Sequence, residues 1–295
     1  MITRKKALPF FMLTLSTILL FGAPQESAPV TNDQISIIFD MNGVLLQTSG
    51  TTRILGLKKF ITYALTHNPL SMKRNLKTKL FELLNEIQER EPNEVDARDE
   101  QGNIIPQIMC NWMKGTQTCQ HLRDAVDAQL ANRAQNIETT ILHDLAHMLF
   151  TPEKFAQSQY VVPEAVAFVK SLKEQGYKIY VLSNFCSPSF NIIKDENPEF
   201  FALFDGIVIS GDIGLIKPDP TIYNYLLTAH NIDARRACFI DDQPTNVLAA
   251  QNVGIHSFVC PSKNGWRNNG SPDIESVKQE FDLWRETLAA AQLVQ

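Results

Sequence analysis

Basic residues are in short supply in this chain. Its 295 residues include 27 Lys and Arg against 32 Asp and Glu, for a net charge of −5. Nucleic-acid surfaces are usually built on a basic face, so no nucleic-acid partner is expected. Cysteine is also scarce. Cys110, Cys119, Cys186, Cys238 and Cys260 are present, and no two form a C-x-x-C pair. That pattern gives no support to a zinc-ribbon or thioredoxin-type reading. Cys110 and Cys119 are the pair close enough in sequence to be considered for a bridge, while Cys238 lies in an apolar run and reads as a buried free thiol. Internal repeats and low-complexity tracts are lacking. With 44% hydrophobic and 20% charged residues, the composition is that of a globular protein.

One long uncharged run stands out. Arg4, Lys5 and Lys6 precede a mostly apolar stretch from Ala7 to Ala23. A basic segment followed by an apolar one reads as a secretory signal. The stretch is slightly short for a membrane span, which takes about 17–25 residues. Gly22 and Ala23 suit cleavage, whereas Phe21 and Pro24 do not. Residues 1–30 are therefore expected to be a signal peptide or an uncleaved membrane tether, and the protein to be exported, periplasmic or secreted.

Ile35 to Phe39 is a continuous apolar run ending at Asp40, the pattern of a buried parallel strand. From about Arg53 to Phe155 the apolar residues fall instead at helical spacing, as in Leu80, Leu83, Leu84 and Ile87, with a polar loop expected over Glu89–Asn103. After Pro163 the pattern alternates. A helix over Glu164–Gln175 ends at Gly176 and leads to a strand over Lys178–Leu182. Another strand covers Ile207–Ile209, a helix Pro220–His230, a strand Ala237–Ile240, a helix Asn246–Asn252 and a strand Ile255–Val259. Ile274, Val277, Phe281, Trp284 and Leu288 continue a helical face. Such alternation predicts an α/β fold: a Rossmann-like doubly wound parallel sheet core with an inserted all-helical cap domain. The expected division is 31–50 and 161–295 for the core and 51–160 for the cap.

In open parallel sheets, ligands bind beyond the carboxyl ends of the strands. Asp40 and Asn42, Ser183 and Asn184, and Asp241 and Asp242 all stand at such ends, and Lys217 sits on a nearby loop. Two carboxylates suit a hard cation that prefers oxygen ligands. A lysine and a serine suit phosphate oxygens. A carboxylate can also attack phosphorus and carry the phosphoryl group.

Four segments then carry a resemblance. Ile37-Ile38-Phe39-Asp40-Met41-Asn42-Gly43-Val44 resembles the first motif of the haloacid dehalogenase superfamily, and Val181-Leu182-Ser183-Asn184 the second. Ile216-Lys217-Pro218-Asp219-Pro220 resembles the third, and Cys238-Phe239-Ile240-Asp241-Asp242 through Val247 the fourth, in its paired-acid form. The resemblance implies a Mg²⁺-dependent phosphatase acting on a small phosphorylated substrate. It makes Asp40 the nucleophile and a metal ligand, the residue 42 carbonyl and Asp242 further ligands, and Asp241 and Asn246 their supports. Ser183 and Lys217 would bind the phosphoryl group, with Asn184 beside it.

Position 42 departs from the pattern. The superfamily's phosphatases usually carry there an Asp that protonates the leaving oxygen, and this chain has Asn42. An amide cannot do that work, and general acid–base help is worth about 10²–10⁴ in rate. The expected consequences are a slow or selective phosphatase whose substrates have good leaving groups, such as acyl or aryl phosphates, a phosphatase with a substitute acid from the helical segment, or a catalytically inactive protein that still binds a phosphorylated ligand or a partner. Phosphotransfer and dehalogenation rank lower, since the paired acids favour metal and phosphate. In the helical segment, Trp112, Met113 and Lys114 form a candidate contact patch. His143 and His147 have the spacing of a helical metal pair but no third ligand near in sequence, and so read as structural or surface residues.

Overall fold

The computed structural model describes residues 30–49, 57–66, 72–87, 104–263 and 271–292. The expected signal or tether at 1–30 lies outside them except for Val30, as does the whole of the polar loop expected over Glu89–Asn103. Among the described residues no helix is long and apolar enough to cross a membrane.

The strands are β1 (Ser36–Phe39), β2 (Leu46–Thr48), β3 (Gln159–Val161), β4 (Lys178–Ser183), β5 (Gly206–Ile209), β6 (Ala237–Asp241) and β7 (His256–Val259). Between β2 and β3 the described residues form six helices: α1 (Leu57–Thr66), α2 (Met72–Ile87), α3 (Gln107–Met113), α4 (Cys119–Ala131), α5 (Ile137–Leu149) and α6 (Pro152–Ser158). After β3 come α7 (Pro163–Glu174), α8 (Ser187–Glu196), α9 (Pro198–Phe201), α10 (Ser210–Ile213), α11 (Pro220–Ala229), α12 (Pro244–Asn252) and α13 (Ile274–Gln292).

Five strands make a parallel sheet in the order β5-β4-β1-β6-β7. β1 is central, and every residue of it is buried. Alternation along the strands divides the core between two faces. Ile37 and Phe39 join Val169 and Leu172 of α7 and Val277 and Phe281 of α13 on one side. Ile38, Leu182 and Phe239 join Ile222 and Leu226 of α11 and Ala250 of α12 on the other. The sheet is thus covered by helices on both faces, as parallel sheets require. Gly176, at φ +89°, follows the C-cap of α7 and lets the chain turn into β4.

Two regions depart from the sequence reading. β2 and β3 form a separate antiparallel ribbon, pairing Leu46 with Val161 and Thr48 with Gln159. The chain leaves toward α1 through one strand of this ribbon and returns through the other. Second, α8, α9 and α10 occupy the stretch between β4 and the loop of Lys217, where the apolar spacing gave no helix. The bridge considered between Cys110 and Cys119 is not formed, and all five cysteines are free. Instead, the Cys119 thiol accepts from Trp112 Nε1 at 3.3 Å. A hydrogen bond from Cys186 is the main cause that lowers its pKa to about 6. Cys238 is fully buried, as read.

Candidate active site

β1 delivers Asp40 to the carboxyl edge of the sheet at its centre, and β6 delivers Asp241 and Asp242 beside it. Asp40 Oδ1 accepts from Lys217 Nζ at 2.7 Å, and Asp241 Oδ2 accepts from the same nitrogen at 2.6 Å. The Leu182 carbonyl takes the third bond at 3.0 Å. An ammonium has three donors, so Lys217 is fully committed to protein acceptors. It is 1% exposed, so this is a buried ion cluster in which each charge depends on the others. Burial raises the Asp40 carboxyl to about 6, with Asp241 adding to the rise and Lys217 opposing it. For Lys217 burial works against the charge, but Asp241 and Asp40 outweigh it and hold the ammonium above its ordinary value.

The supports are local. Asn246 Nδ2 donates to both oxygens of Asp241 at 3.1 Å, and the Gln243 N–H donates to Asp241 Oδ1 at 2.7 Å. Asp241 is therefore held from one side by α12 and from the other by Lys217. Asn184 does something the sequence did not suggest. Its Nδ2 donates to the Lys217 carbonyl at 2.9 Å, and its Oδ1 accepts from the Lys217 N–H at 2.8 Å. Both ends of the amide clamp the backbone that carries the lysine. Ser183 is 1% exposed at the end of β4 and is not among the residues lining the cavity over the carboxylates.

That cavity holds about 480 Å³, and its floor includes Asp40, Asn42, Gly43, Asn184, Lys217, Asp242 and Asn246. Two features bear on a metal ion. Oxygens of Asp40, Asp241 and Asp242 lie within 4.8 Å of one another. A Cβ on Gly43, whose φ is +79°, would stand 2.5 Å from Asp242 Oδ2, so only glycine lets this carboxylate come so close. The donor set is all oxygen and fits a hard cation such as Mg²⁺. Both oxygens of Asp241 accept from Asn246 and one from Lys217, whereas Asp40 accepts from Lys217 at Oδ1 and Asp242 from Gln243 Nε2 at Oδ2, so Asp40 and Asp242 are the better placed to serve it. Asn42 Oδ1 is buried in the same cavity with no hydrogen-bond partner, an unpaired acceptor of the kind that native structures rarely leave.

The cavity roof is mostly apolar, with Lys77 of α2 as its charged member. Trp112 and Met113 line it as the sequence suggested, while Lys114 does not. Trp112 is also a packing residue, with its ring edge-on to Phe150 and Phe155 at 5.3 and 5.8 Å. Phe81, Met109 and Met148 line the roof too, and sequence spacing alone could not separate them from ordinary helix-core residues. Away from this cavity, Asp127 of α4 meets the histidine pair of α5, with Oδ1 at 2.7 Å from His147 Nε2 and 3.3 Å from His143 Nε2. The pair therefore does have a third neighbour that sequence distance had hidden.

Residues 36–254 match the family model described as haloacid dehalogenase-like hydrolase. The chain belongs to that family. Over 89 residues it is 36% identical to the sesquiterpene phosphatase astK of Aspergillus oryzae, covering 30% of this chain and 45% of that protein. It is 25% identical over 174 residues to a phosphoglycolate phosphatase of Aliivibrio fischeri, covering 58% and 71%. The chain thus spans less than half the length of the Aspergillus relative. A HAD family enzyme of Bacteroides thetaiotaomicron, solved in complex with magnesium and inorganic phosphate, shares the fold at a TM-score of 0.50 and 18% identity, over 79% of this chain and 96% of that one.

Proposed function

We propose that this haloacid dehalogenase-like hydrolase releases phosphate from small phosphorylated molecules through a phosphoaspartate at Asp40. The observation that carries the reading is the placing of Asp40 and Asp242 on the floor of one cavity, with Lys217 bonded to Asp40 Oδ1. Phosphatase relatives of Aspergillus and Aliivibrio support it. Lys217 holds the rotation of the Asp40 carboxylate and leaves Oδ2 as the attacking oxygen. Asp40, Asp242 and the carbonyl of Asn42 would hold Mg²⁺, which when bound offsets the repulsion between a carboxylate and a phosphate. Asn184 keeps the Lys217 loop in register, and the helices between 51 and 160 act as a cap that shields the site from water. Ser183, buried at the strand end, serves the phosphoryl group through its backbone setting more than as a cavity-lining side chain. The basic and apolar pattern of residues 4–23 supports export, with the segment cleaved or kept as a tether.

A second reading has its own observation. Asn42 has no acidic proton to transfer and no hydrogen-bond partner for Oδ1, as expected of a protein that binds a phosphorylated ligand without turning it over. Phosphate release by the full-length chain, with Mg²⁺ and with chelator, separates the two. Metal-dependent release that Asp40→Asn abolishes supports the enzyme. Tight binding of inorganic phosphate with no release from any ester supports the binder.

A further inference from the structure

We infer that the preferred substrates are phosphate monoesters of bulky, apolar phenols, an inference that rests on the phosphatase reading above. Two independent observations meet here. The first is the lining of the cavity. Above the polar floor, the described residues present Phe81, Ile105, Met109, Trp112, Met148 and Phe155, with Lys77, Gln47 and Thr48 as the polar members of the lining. Aromatic edges and thioether sulfurs are favourable neighbours for an aromatic ring. Hydroxyls of a sugar or glycerol body that face these apolar side chains would lack partners, which is costly. The cavity, at about 480 Å³, lies in the range of pockets that enclose a drug-sized molecule, roughly 300–1,000 Å³.

The second observation is the chemistry of position 42. Asp40 Oδ2 attacks phosphorus as the bond from phosphorus to the ester oxygen breaks, and its electron pair leaves on that oxygen. With Asn42 at the site no side chain there supplies a proton. An alkoxide is a poor leaving group under those conditions. A phenolate is far better, since a phenol has a pKa of about 10, and it can collect its proton from solvent afterwards. Water then attacks phosphorus, the bond to Asp40 breaks, its electron pair returns to the carboxylate, and the proton goes to solvent. Apolar walls select the body of the substrate, and the missing acid selects its leaving oxygen.

The test measures kcat/KM of the full-length protein with Mg²⁺ on four esters: 1-naphthyl, phenyl, octyl and glycerol phosphate, with acetyl phosphate as a small, reactive control. Naphthyl phosphate is expected to exceed phenyl phosphate by about tenfold or more, given that each buried methylene is worth roughly fourfold. Octyl phosphate, apolar but with a poor leaving group, should fall below phenyl phosphate, and glycerol phosphate should be lowest. Phe81→Ala and Met148→Ala should each raise KM for naphthyl phosphate while leaving kcat near its original value. Glycerol phosphate turned over as fast as naphthyl phosphate would overturn the inference and leave the phosphatase standing. So would variants at both positions that fold but do not change the naphthyl-to-phenyl ratio. Failure to hydrolyse even acetyl phosphate would remove the phosphatase reading, and this inference with it.

Discussion

Asn42→Asp is the most informative single change. The exchange is nearly isosteric and places an acid where Asn42 Oδ1 now lies buried in the cavity without a partner. No bond of that oxygen is broken, so the fold should be retained, at some cost in stability near neutral pH from the added like charge. The new carboxyl would share the site with Asp40 and Asp242, and like charges nearby raise a carboxyl pKa, which suits it to give a proton near neutral pH. A positioned general acid is worth about 10²–10⁴ in rate. For octyl phosphate, whose alkoxide needs protonation, kcat should rise by about that amount. For 1-naphthyl phosphate the gain should be well under tenfold if breakdown of the phosphoaspartate is not limiting. The assay is steady-state phosphate release at saturating Mg²⁺, plotted against leaving-group pKa, and the slope should be steep in the native chain and shallow in the variant. Equal gains on both esters, or no gain on either in a folded variant, would refute the assignment of position 42.

Other predictions follow from the buried cluster. Lys217→Met strands Asp40 and Asp241 as unpaired buried carboxylates and should cost about 3–5 kcal/mol in urea unfolding; a loss within 1 kcal/mol would show that the ion cluster is solvated. Gly43→Ala forces a left-handed residue and drives a Cβ against Asp242, so calorimetry should show weakened Mg²⁺ binding together with about 1–3 kcal/mol of lost stability. Burial lifts Asp40 from 3.8 to about 6, so the folded metal-free state keeps this proton to higher pH than the unfolded state does. Its contribution to stability therefore declines as pH rises from about 4 to about 6, and the stability difference between the native chain and Asp40→Asn should shrink or reverse over that window. By the same competition Mg²⁺ affinity should weaken as pH falls below about 6, and isothermal titration at pH 5 and pH 7 would show it.

Much of the fold was legible because parallel strands buried on both faces leave continuous apolar runs, as Ile35–Phe39 and Ala237–Ile240 did. The acids at their ends were legible for the same reason, since a sheet edge is where such residues converge. The three-residue ribbon strands β2 and β3 were not, being too short for any period to show. Helix α8 was missed because its buried face is only Ser189, Phe190 and Ile193, behind a Ser-Pro start. The bonds that organise the site were hidden by distance. Lys217 and Asp40 are 177 positions apart and Asn184 and Lys217 are 33 apart, so motif order could suggest their proximity but not that the lysine spends all its donors on protein, or that Asn184 also clamps the backbone that carries it. The Cys110–Cys119 pairing failed because proximity in sequence is a poor guide across a helix boundary, and Trp112 and Cys186 claim the second thiol instead.

The central claim is that Asp40 carries the phosphoryl group, and mass spectrometry of the acid-quenched full-length chain during turnover of an aryl phosphate tests it most directly. A phosphoryl adduct is expected on the peptide containing Asp40, formed only with Mg²⁺ and absent from Asp40→Asn. Metal-dependent phosphate release that continues undiminished in Asp40→Asn, with no adduct on that peptide at any quench time, would contradict it.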